Sequence, residues 1–307
     1  MFHYQVDERI KTRKFARTCI SNYHHLGFLN LSYSGFEELP SSICNLKQLR
    51  SLLLLDNKQL KKLPHTICEL QSLLELDVSG CSELGELPKN MNRLVSLKFL
   101  YLTTKQKSLQ ESGIQYLESI HFLGFKACEN LQMLFEGTCQ LTRLRKLEII
   151  NCGRLLSVPF GELISLEVLL IQNSPLMSIS EKKGGFPSRL RVLSIVNCEQ
   201  VGELLHSLDE STRTLESFCV YDCPSFTAIP DWLPNRTRLK EIRLIRCPNL
   251  RFMPQGIRSL PVLKELRIEH CGELSSRCKP QTGKDWHKIA HIPRIQVDLI
   301  NIQWTDV

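Results

Sequence analysis

Two pairs of side chains have the chemistry that a metal site would need, and their neighbours decide how each is interpreted. His287 and His291 are four residues apart, so a helix would place both on one face. Lys288 follows His287 at the place where a zinc protease carries its general-base Glu. Cys219 and Cys223 are separated by three residues, but no second pair stands at the spacing of a zinc site. We therefore predict no metal site in this chain.

The other candidates are a phosphate loop and a thiol nucleophile. Lys284 is followed by Asp285, so the 307 residues contain no phosphate loop of the type Gly-x-x-x-x-Gly-Lys-Ser/Thr. Cys219 is expected to face outward, but Ser194 and Arg243 are its neighbours in adjacent copies of the repeat described next. Neither is a base that would activate a thiol. The sequence predicts that the chain is not an enzyme and carries no cofactor.

The element that positions every side chain is a repeat. The pattern Leu-x-x-Leu-x-Leu-x-x-Asn/Cys returns about every 24 residues, and one full copy runs from Leu239 to Cys247. Residues two apart in a strand point to the same side, so Ile242 and Leu244 are predicted to face the core and Arg243 the solvent. The copies begin at Leu26, Leu49, Leu73, Leu97, Ile120, Leu144, Leu166, Leu190, Leu215, Leu239 and Leu263.

A unit of this length cannot bury its apolar edge alone, so the copies must stack. We predict an α/β solenoid, a leucine-rich-repeat horseshoe with a curved parallel sheet on the concave side and short helical or irregular turns on the convex side. Residues 26–274 are predicted to form about eleven copies, and residues 1–25 a basic, irregular or truncated first repeat. Residues 275–307 are predicted to form a cap, in which Trp286 covers the end of the core and a last strand lies near residues 292–297.

In each copy a return segment connects one strand to the next. Two of these segments depart from the regular pattern. Residues 103–119 lack the recurring proline and are polar, which favours a short helix. Residues 180–188 are charged and Gly-rich, which predicts a back loop.

Cysteine usage and composition indicate the compartment. Most of the 13 cysteines are locked to the repeat, so we predict buried, reduced thiols. The turn position is held by Asn57, Cys81, Cys128, Cys152, Cys198, Cys223, Cys247 and Cys271. Residues 1–14 contain no apolar core of a signal peptide, and no run of 18 apolar residues occurs. The chain is predicted to be cytoplasmic, with the inner face of the plasma membrane or the nucleus as alternatives.

The formal net charge of +7 equals the surplus of residues 240–294, which contain 12 Lys/Arg and 5 Asp/Glu. A basic end can meet nucleic acid, an anionic membrane surface or an acidic protein. Here the basic residues lack interleaved aromatics, and Glu241, Glu265 and Glu269 lie among them. We therefore predict protein partners rather than nucleic acid.

Equivalent positions stack into columns, so the solvent side of the sheet can be predicted. Phe99, Tyr101 and Phe122 fall in adjacent copies and begin an unusually apolar stretch. Contiguous exposed apolar area marks an interface, although strand propensity alone also favours such residues. Further along, arginines and His270 predict a positively charged corner edged with Glu. The predicted protein-binding residues are Phe99, Tyr101, Phe122, Ile150, Leu170, Val196, Tyr221, Arg243, Arg246 and Arg267.

Three phrases resemble those of a known family. They are Leu-Ser-Tyr-Ser-Gly-Phe-Glu-Glu-Leu-Pro-Ser-Ser-Ile at residues 31–43, Leu-Asp-Val-Ser-Gly-Cys-Ser-Glu-Leu-Gly-Glu-Leu-Pro at 76–88, and Thr-Gly-Lys-Asp-Trp-His-Lys-Ile-Ala-His-Ile-Pro at 282–293. The phrases resemble plant intracellular nucleotide-binding leucine-rich-repeat disease-resistance proteins, and the last is similar to the tail of their coiled-coil class. The resemblance implies a recognition arm that senses a pathogen effector or a host protein altered by one, and that restrains a nucleotide switch domain.

This chain departs from that family because it contains neither the coiled coil nor the switch domain with its phosphate loop and Met-His-Asp motif. The implied partners are an effector, a guarded host protein or the switch domain. The alternative is a leucine-rich-repeat scaffold or ubiquitin-ligase substrate adaptor. An adaptor is expected to carry an amino-terminal ligase-docking domain, for which residues 1–25 are too short.

Overall fold

The computed structural model describes residues 24–135, 138–175, 187–206, 213–298 and 300–304. The chain divides into two compact units, Met1–Leu163 and Ile164–Val307. Each unit stacks copies of the predicted repeat, so the leucine-rich-repeat solenoid is confirmed. The irregular repeat predicted for residues 1–25 lies, apart from His24 and His25, outside the described residues, as does most of the back loop predicted for residues 180–188.

In the described part of the first unit, six strands follow one another in chain order and every neighbouring pair is parallel. They are β1 (Phe28–Asn30), β2 (Ser51–Leu53), β3 (Glu75–Val78), β4 (Phe99–Leu102), β5 (Phe122–Lys126) and β6 (Lys146–Ile150). Leu52 lies opposite Leu76, which lies opposite Leu100. All three are fully buried, so one aliphatic column forms the core side of these strands.

The second unit continues the same design with strands β7 to β13. They are β7 (Val168–Gln172), β8 (Val192–Val196), β9 (Ser217–Tyr221), β10 (Glu241–Ile245), β11 (Glu265–Glu269), β12 (Arg294–Val297) and β13 (Ile300–Trp304). Strands β7 to β12 pair in parallel, and β12 confirms the strand predicted near residues 292–297, although it is not the last strand. Strand β13 pairs antiparallel with β12 and was not predicted.

Strands β2, β3 and β5 to β11 are each followed by a left-handed residue and then by a buried turn side chain. Asp56 has φ of 54°, and Asn57 after it is fully buried. The Asn57 Nδ2 donates to the carbonyls of Leu31 and Leu54, each at 2.8 Å. In the next copy the Cys81 Sγ donates to the Leu54 carbonyl at 3.2 Å. The turn residues thus satisfy carbonyls of the preceding copy and join the copies into a ladder.

The return segments are short 3-10 turns or irregular. In the described residues these turns are Ser41–Asn45, His65–Glu69, Met91–Arg93, Gln110–Ser112, Ile114–Tyr116, Phe160–Glu162, Leu233–Asn235 and Gln255–Ser259. The short helix predicted within residues 103–119 is therefore two 3-10 turns. Gly113 separates them with φ of 79°, a conformation that ends the first turn. A six-residue α-helix, α1 (Val201–His206), lies in the return segment after β8.

The carboxyl-terminal cap contains α2 (Glu273–Arg277) and α3 (Trp286–Ile289). In this cap Ile289 is fully buried, and Trp286, which the sequence predicts to cover the end of the core, is half-buried. Lys288 Nζ donates to the Met253 carbonyl at 2.6 Å, and the Asp285 carboxylate accepts from the Met253 amide at 3.1 Å. These bonds fix α3 so that Ile289 faces inward.

Candidate protein-binding surfaces

The solvent side of β3 to β6 carries the first predicted surface, which we call the aromatic surface and define as Phe99, Tyr101 and Phe122. Phe99 lies opposite Phe122 in the paired strands, and Tyr101 lies opposite Gly124. The Tyr101 and Phe122 ring centroids are 4.4 Å apart with planes inclined at 36°. The structure therefore brings the three predicted rings together. Phe99 is 42% exposed, an unusual value for a large aromatic side chain on a sheet.

Phe122 corrects the prediction of an exposed ring. Its residual exposure is 6%, because the Tyr101 ring covers one side of it and the Lys146 Nζ stands 5.4 Å from the ring centroid. Phe122 is thus the floor of the aromatic surface, and a partner can touch Phe99 and Tyr101.

Gly124 makes room for this arrangement. A Cβ at that position would lie 2.9 Å from the Phe122 Cε1 atom and 3.3 Å from the Tyr101 Cδ1 atom. The two rings lean over Gly124 because it has no side chain. The signal in the sequence is a lone Gly in the outward column beside two aromatic residues.

Charged side chains surround the rings. Lys146 forms an ion pair with Glu148 at 2.8 Å. On the other side, Glu75 lies opposite Phe99 and Asp77 opposite Tyr101 in β3. Asp77 Oδ1 accepts from the amide and hydroxyl of Ser79 at 2.8 and 2.6 Å, which holds its carboxylate in place.

Burial raises the pKa of the Tyr101 hydroxyl, and the negative charge of three carboxylates raises it further. The carboxylates belong to Glu148, Glu75 and Asp77. They therefore lie within electrostatic reach of the same phenol, and the rim of the aromatic surface is acidic. The predicted residue Ile150 is outside this group, since it lies opposite Lys126 at the ends of β5 and β6.

The second unit carries Leu170, Val196 and Tyr221 on the solvent side of β7 to β9. Val196 lies opposite Tyr221, whereas Leu170 belongs to the next column and lies opposite Ser194. All three side chains are half-buried. Burial raises the pKa of Tyr221 to about 12, with the Cys219 thiol as the next cause.

Cys219 is 7% exposed, and its Sγ is 3.5 Å from the Ser217 hydroxyl. Burial raises the pKa of this thiol, which disfavours the thiolate that a nucleophile needs. The prediction that Cys219 faces outward holds for its strand position, but Ser217 and Tyr221 leave it little contact with solvent.

The positively charged corner predicted around Arg243, Arg246 and Arg267 is neutralised by ion pairs, which corrects that prediction. Arg246 forms a two-bond pair with Asp222, one bond measuring 2.7 Å. Arg267 pairs with Glu269 at 2.8 Å. Arg243 pairs with Glu241 and, at 3.4 Å, with Glu265. The glutamates that the sequence placed at the edge of the corner lie beside its arginines, in the same strand or the next one, so the surface presents paired charge rather than a positive field.

Within the described ranges, no group of three or more His, Cys, Asp or Glu residues is arranged to hold a metal ion. No helix in that part of the chain is long and apolar enough to cross a membrane. The described cysteines are all free thiols.

Comparison with known proteins agrees with this architecture. A family model described as a leucine-rich repeat region matches residues 7–111. No curated protein sequence matches the chain. Among solved structures, the plant peptide hormone receptor RGFR1 in complex with RGF2 superposes with a TM-score of 0.52 and 21% identity, covering 83% of this chain and 44% of the receptor chain.

Two other solved structures are similar. A leucine-rich-repeat protein of Leptospira interrogans has a TM-score of 0.45 and 20% identity, covering 90% of this chain and 79% of its own. The leucine-rich-repeat domain of the type III effector XopL has a TM-score of 0.41 and 16% identity, covering 91% and 79%. At these identities the likeness concerns the fold alone. The family model and the strand order show that the chain contains a leucine-rich-repeat domain, an architecture that serves as a scaffold for protein interactions.

Proposed function

We propose that this chain is the recognition arm of a plant intracellular immune receptor. It senses a pathogen effector, or a host protein modified by one, and restrains a nucleotide-binding switch domain until that contact is made. The resemblance of residues 31–43, 76–88 and 282–293 to the coiled-coil class of these receptors supports the family. The proposal places the chain in the cytoplasm and assigns it no chemistry of its own.

The observation that carries the binding role is the exposure of Phe99 beside Tyr101. The core beneath is filled by Leu100 and Leu102, both fully buried, so Phe99 contributes nothing to it. Aromatic side chains exposed on a rigid sheet are favoured anchors of protein interfaces. The plant receptor of similar fold, solved in complex with RGF2, supports the use of such a scaffold for recognition.

The test is restraint of cell death in leaf tissue. Auto-active fragments that contain the coiled coil and switch domain of coiled-coil-class receptors are co-expressed with this chain. We expect the chain to suppress cell death and to co-precipitate with at least one switch domain. Phe99→Ala with Tyr101→Ala should weaken co-precipitation about tenfold, as expected for loss of two interface anchors. Phe122 is left intact, since its burial makes an alanine there a change in folding.

Phe252→Ala is the matched control, because Phe252 is 49% exposed but lies in a return segment rather than on the sheet. It should bind as the unaltered chain does. The proposal fails if the chain restrains none of the switch domains, or if the double variant keeps its melting temperature and full binding.

A further inference from the structure

The aromatic surface already holds one cation. The Lys146 ammonium lies 5.4 Å from the Phe122 ring centroid and 2.8 Å from the Glu148 carboxylate. A cation placed between an aromatic face and a carboxylate gains from both, because the ring face is electron-rich and the carboxylate is anionic. The fold thus builds a ring-and-carboxylate cradle along one side of the aromatic surface.

On the opposite side of the aromatic surface, rings again lie beside carboxylates. Glu75 is paired in register with Phe99, and Asp77 with Tyr101, on strands that lie about 4.8 Å apart. None of the ion pairs formed within the described part of the chain involves either carboxylate. Two negative charges and two accessible rings therefore converge without a cation from this chain.

We propose that this side of the aromatic surface binds an arginine side chain on an extended segment of the partner protein. The guanidinium stacks on Phe99 and Tyr101 and forms ion pairs with Glu75 and Asp77. The proposal rests on the protein-binding role above and names the chemistry of the partner.

Geometry favours arginine over lysine. A guanidinium is planar, stacks on aromatic rings and presents several N–H donors, so it engages a ring and two carboxylates together. An ammonium is a compact, strongly hydrated charge that makes fewer directed bonds. Asp77 is held by Ser79, so part of the cost of ordering the acceptor is met before binding.

The same charges decide which kind of macromolecule fits. Glu75, Asp77 and Glu148 would repel the phosphates of a nucleic acid or an anionic lipid surface. The outward side chains of β3 to β6 form a shallow row along adjacent strands, which matches an extended peptide segment. Charge complementarity therefore selects a basic peptide.

The test uses random dodecapeptides displayed on phage and selected on the immobilised full chain. We expect arginine to be enriched about fivefold at one position next to apolar residues, since charged anchors dominate such contacts. The double variant Glu75→Gln, Asp77→Asn should lose this enrichment. Glu83→Gln is the matched control, because Glu83 is an exposed carboxylate in a return segment, paired with Lys105. It should keep the enrichment.

Fluorescence anisotropy then measures one selected peptide and its variants on each protein. Replacing the arginine by glutamine should weaken binding to the unaltered chain about tenfold, and replacement by lysine should weaken it less. On the double variant the arginine and glutamine peptides should bind within about twofold of each other, because the coupling is lost.

The inference is overturned if no binder is selected, if the selected peptides lack arginine, or if the double variant keeps the preference. Preference for acidic peptides or for anionic vesicles would overturn it too. These outcomes are separate from the cell-death assay. If the chain prefers arginine peptides but restrains no switch domain, the inference on arginine binding stands and only the proposed immune function fails.

Discussion

At the scale of single residues, the buried turn position shows that the amide of Asn57 forms more hydrogen bonds than the thiol of a cysteine at the equivalent position. Asn57 donates two hydrogen bonds and accepts one, from the Ser34 amide at 2.9 Å. The Cys81 and Cys271 thiols reach the carbonyl of the preceding copy at 3.2 Å, with a weaker donor. The first copies of the solenoid therefore depend most on a side chain that the sequence shows only once at this position.

Replacing Asn57 by alanine should destabilise the first unit by about 2–4 kcal/mol, because buried carbonyls and an amide lose their partners. Hydrogen exchange measured by mass spectrometry should show faster exchange at the Ser34 amide and in peptides from residues 28–57. Asn57→Cys, which introduces the residue of the later copies, should lower the stability of the first unit clearly less than Asn57→Ala does. Equal protection in the alanine variant would show that the amide bonds do not hold the copies together.

The residue scale also shows how far the aromatic surface could be predicted. The column positions of Phe99, Tyr101 and Phe122 follow from the repeat spacing alone, and the structure brings these residues together. The burial of Phe122 did not follow, because it depends on the tilt of Tyr101 over Gly124. The columns also contained Glu75 and Asp77, but their significance appears only when both are seen within reach of one phenol.

At the scale of elements, the repeat spacing predicted the strands, but it predicted neither the conformation of the return segments nor the structure at the end of the chain. Parallel strands were predictable because each inward strand position is apolar in every copy. Residues 103–119 form 3-10 turns rather than a helix because i→i+3 bonds, such as Leu117 N to Ile114 O, close the short turn after Gly113. Strand β13 contains no copy of the repeat, so the repeat spacing could not predict that it pairs antiparallel with β12.

The cap depends on a buried charge cluster centred on Asp285, which is 1% exposed. Arg277 donates to it at 2.8 and 3.1 Å, and Lys288 pairs with it at 2.8 Å. Burial by itself raises the pKa of the Asp285 carboxyl, but the hydrogen bonds from Arg277 and Lys288 together outweigh it and lower that pKa to about 2.

This lowered pKa makes the stability of the cap dependent on pH. The folded pKa lies below the usual Asp value of about 4, so the carboxylate stabilises the fold above that pH and its contribution is lost as the pH falls towards 2. Asp285→Asn should cost roughly 2 kcal/mol at pH 7 and less at pH 3. Thermal melting followed by tryptophan fluorescence can report this, since Trp286 begins α3.

Asp231→Asn is the control for this titration, because Asp231 is an exposed carboxylate in the same unit. It should leave the melting temperature unchanged at both pH values. An Asp285→Asn variant that melts like the unaltered chain at pH 7 would contradict the role given to the cluster.

At the scale of the whole molecule, the turn cysteines place buried thiols in both units. Cys81, Cys128 and Cys152 belong to the first unit, and Cys198, Cys223, Cys247 and Cys271 to the second; all are at most 4% exposed. Burial raises the pKa of Cys81 and of Cys223 to about 11. Because all seven side chains are buried, each thiol becomes accessible to a reagent only when its own copy opens.

Alkylation with iodoacetamide, read by mass spectrometry after a short pulse, should report the opening of individual copies. In the native chain, half-buried Cys44 should react at least about tenfold faster than the turn thiols. In rising urea, the turn thiols of one unit should become reactive over the same narrow range, because stacked copies stabilise their neighbours. Cys44→Ser should leave those midpoints unchanged. Turn thiols that react in the native chain as fast as Cys44, or copies within a unit that open independently, would show that aliphatic stacking does not couple neighbouring repeats.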